Sequence, residues 1–184
     1  QRWHMPSRYY DYDFEDEDTG LNVNFLFLDT CPFEKKYYTE AAYVNVKTQD
    51  STQQIKWIDS IIATKPKADW TIFSGHHPLY SGGKRIEDTE QIRNSLQPIL
   101  KRSNVDAYFA GHEHDLQYIK PQGKTHHFIS GAGSEVRETG MIDGMSKFAA
   151  SVQGFMAVSI TKQQMLVQVI NYKGNVIYAT EIKK

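Results

Sequence analysis

Aromatic and acidic residues alternate near the start of the chain: Tyr10, Tyr12 and Phe14 against Asp11, Asp13 and Glu15. Period two is the mark of a half-buried strand. Glu17-Asp18-Thr19-Gly20 reads as a turn, and Leu21, Val23, Phe25 and Phe27 resume the alternation, so residues 8–29 predict a hairpin. Ser51 and Gln54 form a capping-box pattern ahead of Ile55, Ile58, Ile61 and Ile62, which recur at helical spacing; Pro66 marks the end of that helix. Asp69 to Ser74 predicts a strand that delivers Gly75-His76. Ile92, Leu96, Ile99 and Leu100 predict a second helix, bent at Pro98. Val105 to Ala110 predicts a short strand ending at Gly111-His112. Strands are then expected over 115–120, 125–130, 155–161, 165–171 and 175–182, with tight turns at Lys162-Gln163-Gln164 and Lys173-Gly174. The order predicts α/β structure in the middle and an antiparallel meander at the end. Repeats and linker-like stretches are absent, so residues 1–184 are expected to form a single domain.

Bulk properties narrow this picture only slightly. A hydrophobic content of 40% is enough for a real core and argues against disorder. A net charge of -1 gives no electrostatic case for nucleic acid or an anionic membrane surface. Apolar runs fall far short of the roughly 18 residues that cross a bilayer, so no membrane span is expected. The opening Gln1-Arg2-Trp3-His4-Met5-Pro6 has no apolar signal core and no Met at position 1, so a processed or trimmed piece is expected. The lone Cys31 excludes an internal disulfide and is expected to be a small core residue beside Phe25 to Leu28. The acidic run Asp11 to Asp18 puts Asp16 and Asn22 where a calcium loop needs glycine and glutamate, so it reads as a solvated strand face and turn.

Candidate chemistry collects at two places where an apolar run stops at a glycine: Gly75-His76-His77-Pro78 and Gly111-His112-Glu113-His114. Strand ends that open into loops are the usual seat of ligands in open α/β sheets. Neutral imidazole is a common ligand for zinc, iron and manganese. Two histidines one residue apart reach one ion or two neighbouring ions, and glycine lets the loop approach closely. His76, His112 and His114 are therefore the candidate metal ligands. Ser130 and Ser134 lack a Gly-x-Ser-x-Gly elbow, and Gly131-Ala132-Gly133 matches neither a dinucleotide fingerprint nor a phosphate loop.

The segments Phe73-Ser74-Gly75-His76-His77-Pro78 and Gly111-His112-Glu113-His114 resemble the last two signature blocks of the binuclear metallophosphoesterases. The resemblance is nearest to the purple, or tartrate-resistant, acid phosphatases. Arg2-Trp3 with Pro6 to Tyr10, Phe25 to Thr30, Gln53 to Ile58, and Ile129 to Ser134 resemble further segments of the same family. The resemblance spans the chain but covers only the C-terminal portion of a calcineurin-like metallophosphoesterase domain. Three earlier blocks that carry an aspartate, a bridging aspartate with a tyrosine, and an asparagine followed by a catalytic histidine have no counterpart here. Asp29, Asp106 and Asp143 do not stand in those contexts.

The resemblance implies a metal-dependent phosphoric-ester hydrolase, of acid phosphatase type, acting on phosphomonoesters. It implies His76 and His112 on a divalent ion and His114 on a ferric-type ion. The pair would be iron with zinc, manganese or iron, at most partly occupied in this chain alone. It implies half of a four-layer α/β/β/α sandwich: a mixed sheet with flanking helices and a C-terminal antiparallel meander. The inner sheet face would then be bare, apolar and covered by a second copy or a retained N-terminal half. Activity of the chain alone is expected to be slight. An exported, periplasmic or lysosomal parent is implied. The alternative is a non-catalytic binding or anchoring module on the same scaffold. His77 is either a substrate-side residue or a packing one. The loop from Ser81 to Asp88 lacks the substrate-side histidine of some relatives; its Lys84 and Arg85 could contact phosphate instead, with a solvated basic loop the favoured reading. His126 and His127 read as structural, Tyr80 and Tyr118 as packing residues, and His4 has no supporting context.

Overall fold

The computed structural model describes residues 5–86 and 89–184. Arg2, Trp3 and His4, and with them the start of the first resembling segment, lie outside the described residues, as do Glu87 and Asp88. The expected hairpin is present as β1 (Tyr10–Asp16) and β2 (Leu21–Leu28), paired antiparallel with Tyr10 opposite Phe27. Its acidic face is neutralised from outside: Lys65 bonds both Asp11 and Asp13. A run of short turns follows, the 3-10 turns Cys31–Phe33 and Ala41–Tyr43 flanking α1 (Lys36–Thr39). Cys31 stands in the first of them and is only partly buried, not in the core as expected.

Helix α2 (Ser51–Thr64) occupies the predicted span, but its cap differs. Asp50, not Ser51, is the N-cap, and its carboxylate accepts from the Thr52 N–H at 2.8 Å. Gln54 is buried and turned away from the helix end. It bonds the backbone of Asp29 twice, accepting from N–H at 3.0 Å and donating to C=O at 2.8 Å. Then come β3 (Trp70–Gly75), α3 (Thr89–Arg102), which continues through Pro98, β4 (Ala107–Ala110), β5 (Leu116–Ile119) and β6 (His126–Ser130). An unexpected strand, β7 (Ser146–Ala150), precedes β8 (Gly154–Ile160), β9 (Gln164–Asn171) and β10 (Val176–Lys183).

These strands form two sheets. The larger is mixed, in the order β1-β2-β3-β4-β6-β5-β7, with β2, β3, β4 and β6 parallel. The smaller, β10-β9-β8, is the expected meander, but β5 and β6 belong to the larger sheet instead. Alternation along the parallel strands gives the larger sheet two apolar faces. One, with Leu26, Phe73, Tyr108 and Ile129, packs on Ile58 of α2 and on Ile92, Leu96 and Ile99 of α3. The other, with Val23, Ile72, Ala107 and Phe128, packs on Met165, Val167 and Ile182 of the smaller sheet. Burying a large apolar side chain of this kind is worth about 1.5–3 kcal/mol, and the two faces form separate apolar clusters on either side of the sheet.

The described residues thus build the expected mixed sheet with flanking helices and C-terminal antiparallel meander, stacked as three layers, α/β/β. The inner face of the larger sheet is covered by the chain's own meander. Apolar exposure moves one layer outward. With Met165, Val167 and Val169 pointing inward, the register sets Phe155, Ile170 and Val176 side by side on the outer face of the smaller sheet, where Phe155 and Val176 are about half exposed.

Candidate metal centre

β3 and β4 are parallel neighbours in register, with Ser74 beside Phe109, so their C-terminal ends release Gly75-His76 and Gly111-His112 at the same edge. A bond from the Gly111 N–H to the His76 carbonyl, 3.0 Å, ties the two loops together. His112 adopts a left-handed φ of 66°, unusual for a residue with a side chain. Strain of this kind persists where the surroundings over-determine it, as functional sites do. The loop is held tightly at its back as well. A Cβ on Gly131, at the end of β6, would lie 1.8 Å from the Glu113 carbonyl oxygen, so only glycine allows that approach.

The result is a converging pair. His112 Nδ1 faces His76 Nε2 at 3.1 Å. That separation lets both nitrogens sit at ~2.0–2.1 Å from one ion, the ordinary zinc–imidazole distance. Burial, followed by the charges of Arg85 and His114, pushes the His76 pKa below its ordinary value, which keeps the ring neutral and fit to ligate at neutral pH. The donor set thus fits a transition-metal ion.

His77 is the third member of a close group with His76 and His112, their ligand atoms all within 4.8 Å. Its ring is nevertheless committed elsewhere. Nδ1 meets the Thr30 hydroxyl at 2.7 Å and Nε2 meets the Tyr37 hydroxyl at 2.8 Å. The Thr30 hydroxyl also accepts from the His77 N–H. The residue is 1% exposed. The ring thus packs behind the pair, held at both nitrogens by Thr30 and Tyr37.

His114 lies outside that close group. Its Nδ1 meets the Glu135 carboxylate at 3.1 Å, Arg137 holds the same oxygen at 3.2 Å, and the Arg137 N–H bonds the His114 carbonyl. A carboxylate on one ring nitrogen fixes the tautomer and leaves the other nitrogen for an ion. Glu135 was missed in the sequence. Its signal was the charged run Glu135-Val136-Arg137 soon after Gly131, past the end of β6, the parallel neighbour of β4.

Two carboxyl groups beneath the loops complete the arrangement. Glu113 and Asp115 are fully buried, and burial is the main cause that pushes both pKa values up. The Gln117 amide donates to both Asp115 oxygens at 3.0 and 2.8 Å, and its carbonyl accepts from the Gly82 N–H. Glu113 accepts from the Arg85 N–H at 2.5 Å. The loop after Pro78 is thereby anchored over the histidine pair.

Comparison with known proteins finds phosphatases among those the chain resembles. Over 172 residues the chain is 31% identical to purple acid phosphatase 7 of Arabidopsis thaliana, covering 88% of this chain and 52% of that protein. It is 26% identical to human tartrate-resistant acid phosphatase type 5, covering 100% of this chain and 60% of that protein. It thus spans about half to three fifths of the length of these curated relatives. Among solved structures, it superposes with a TM-score of 0.80 and 25% identity on GAP50, described as the anchor in the inner membrane complex of Plasmodium, covering 99% of this chain and 56% of that one. It shares its fold with the purple acid phosphatase PPD1 of yellow lupin (Lupinus luteus) seeds, at a TM-score of 0.75 and 19% identity over 98% of this chain and 34% of that one. The calcineurin-like phosphoesterase family model matches residues 3–116, more than half of the chain, and the chain belongs to that family.

Proposed function

We propose that this chain is the histidine-bearing part of a metal-dependent phosphoric-ester hydrolase acting on phosphomonoesters. The observation that carries the reading is the pair His76 Nε2 and His112 Nδ1, facing at 3.1 Å across two parallel strand ends. In this reading His76 and His112 hold one ion and His114, oriented by Glu135, holds another. The ions are iron with zinc, manganese or iron. When bound they supply Lewis-acid stabilisation of a phosphoryl group and a water of lowered pKa. The chain's own residues do the rest. Thr30 and Tyr37 fix His77 as a wall behind the pair, and Glu113 and Asp115 pin the loop above it. Residues 1–184 act as a single domain that is completed by further polypeptide. The outer face around Phe155 and Val176 is where that polypeptide packs, in keeping with relatives about twice as long.

Acid phosphatases among its relatives favour the enzymatic reading. The likeness to the Plasmodium anchor supports a second reading, a non-catalytic anchoring module on the same scaffold. Hydrolysis of p-nitrophenyl phosphate by the purified chain, with added zinc, manganese or iron, tests the first. Little or no turnover is expected from the chain alone. Metal-dependent turnover that disappears in His112→Ala would show that the chain needs no further part.

A further inference from the structure

The loop after Pro78 carries two basic residues, and the structure separates them. Lys84 is exposed. Arg85 is partly buried and reaches the histidine pair: its Nη1 donates to the His112 carbonyl at 3.0 Å and meets His112 Nδ1 at 3.4 Å. The backbone beneath it is fixed. The Arg85 N–H bonds the buried Glu113 carboxylate, and Gly83 lies so close to Asp115 and Glu113 that a Cβ would meet their carboxyl groups at 2.8–2.9 Å. Among the described residues no carboxylate forms an ion pair with the guanidinium. A solvated basic loop would not fix one arginine's backbone and guanidinium against the histidine pair in this way.

We propose that Arg85 is a substrate-binding residue that takes the non-bridging oxygens of a phosphomonoester at the His76–His112 edge. This inference rests on the phosphoesterase reading above. Guanidinium is permanently charged, and its planar fork matches two oxygens of a phosphate. Nη1 is engaged with His112, which sets the plane of the fork, and the remaining N–H groups are left to donate to the anion. Arg85 thus supplies a permanently charged group, so anion binding at this position does not depend on protonating an imidazole.

Inorganic phosphate titrated calorimetrically into the full chain, without added metal and with manganese(II), tests this. Arg85→Gln is expected to weaken phosphate binding by about tenfold or more, the range of a charge-assisted hydrogen bond. Arg85→Lys should keep part of the affinity, and Lys84→Gln all of it. Manganese affinity should not weaken in Arg85→Gln. Phosphate affinity unchanged in Arg85→Gln overturns the inference, and so does a wild-type chain that takes no phosphate. The two readings fail separately. Phosphate held through Arg85 by a chain that binds no manganese keeps this inference and sinks the metal-dependent function. Manganese bound at His76 and His112, with phosphate binding indifferent to Arg85, does the reverse.

Discussion

His126 and His127 open β6 at the end of the sheet away from the metal centre, and burial rather than ligation sets their chemistry. His126 Nδ1 meets the Tyr118 hydroxyl at 2.8 Å, as a structural histidine should. His127 is 6% exposed, packs its ring against Tyr80 and Tyr108, and has a buried Nδ1 without a partner among the described residues. Burial first, then Lys120 and His126, push its pKa down from 6.5 to about 3. The unfolded chain therefore binds a proton that the folded chain refuses. Stability is full above the unfolded value and falls as pH drops from 6.5 toward 3. Between pH 7 and pH 5 this one ring should cost up to about 2 kcal/mol. His127→Phe keeps the ring contacts and removes the titration. Urea unfolding at the two pH values should show a smaller loss in the variant than in the wild type. At the candidate metal centre, the histidines stood out in the sequence because both motifs follow a strand and a glycine. The contacts of Thr30, Tyr37 and Glu135 did not, because each is made across at least 21 positions of sequence.

Helix α2 shows what an element's own pattern determines. The periodic isoleucines gave its span, and Pro66 its end. The capping pattern pointed at Ser51 because Ser-x-x-Gln is a local signal, whereas Gln54 is drawn away by a tertiary contact to Asp29. The assignment has distinct energetic consequences. Asp50→Ala should cost about 1 kcal/mol, the usual loss for an N-cap. Ser51→Ala should change stability by less than about 0.5 kcal/mol, as an ordinary surface substitution does. Gln54→Ala leaves the Asp29 N–H and C=O without partners and should cost about 2 kcal/mol or more. Thermal or urea unfolding of the three variants ranks them, and a large loss in Ser51→Ala would restore the capping box. Strand β7 failed to show for a related reason. Ser146-Lys147-Phe148-Ala149-Ala150 has weak alternation and lies at the sheet edge, so the β5 backbone rather than its own side chains makes it a strand.

At the scale of the molecule, the outer face of β8, β9 and β10 presents Phe155, Ile170 and Val176 in a row, and β8 and β10 are both edge strands. Apolar faces beside open sheet edges favour association. The isolated chain is expected to self-associate as its concentration rises, and Phe155→Lys should reduce this. Sedimentation equilibrium checks it, and a strictly monomeric wild-type chain would count against the face as a packing surface. The sequence by itself determined the hairpin, the two amphipathic helices, the strands that end in glycine and histidine, and the phosphoesterase resemblance. These are local periodicities and short motifs, written within a few residues of one another. Tertiary structure alone decided that β6 inserts beside β4, that the meander covers the inner sheet face, that His77 is sealed behind the His76–His112 pair, and that Arg85 rather than Lys84 reaches it. Those outcomes depend on which apolar faces meet and which buried polar groups find partners. Such choices are made between segments far apart in the chain, and no local pattern records them.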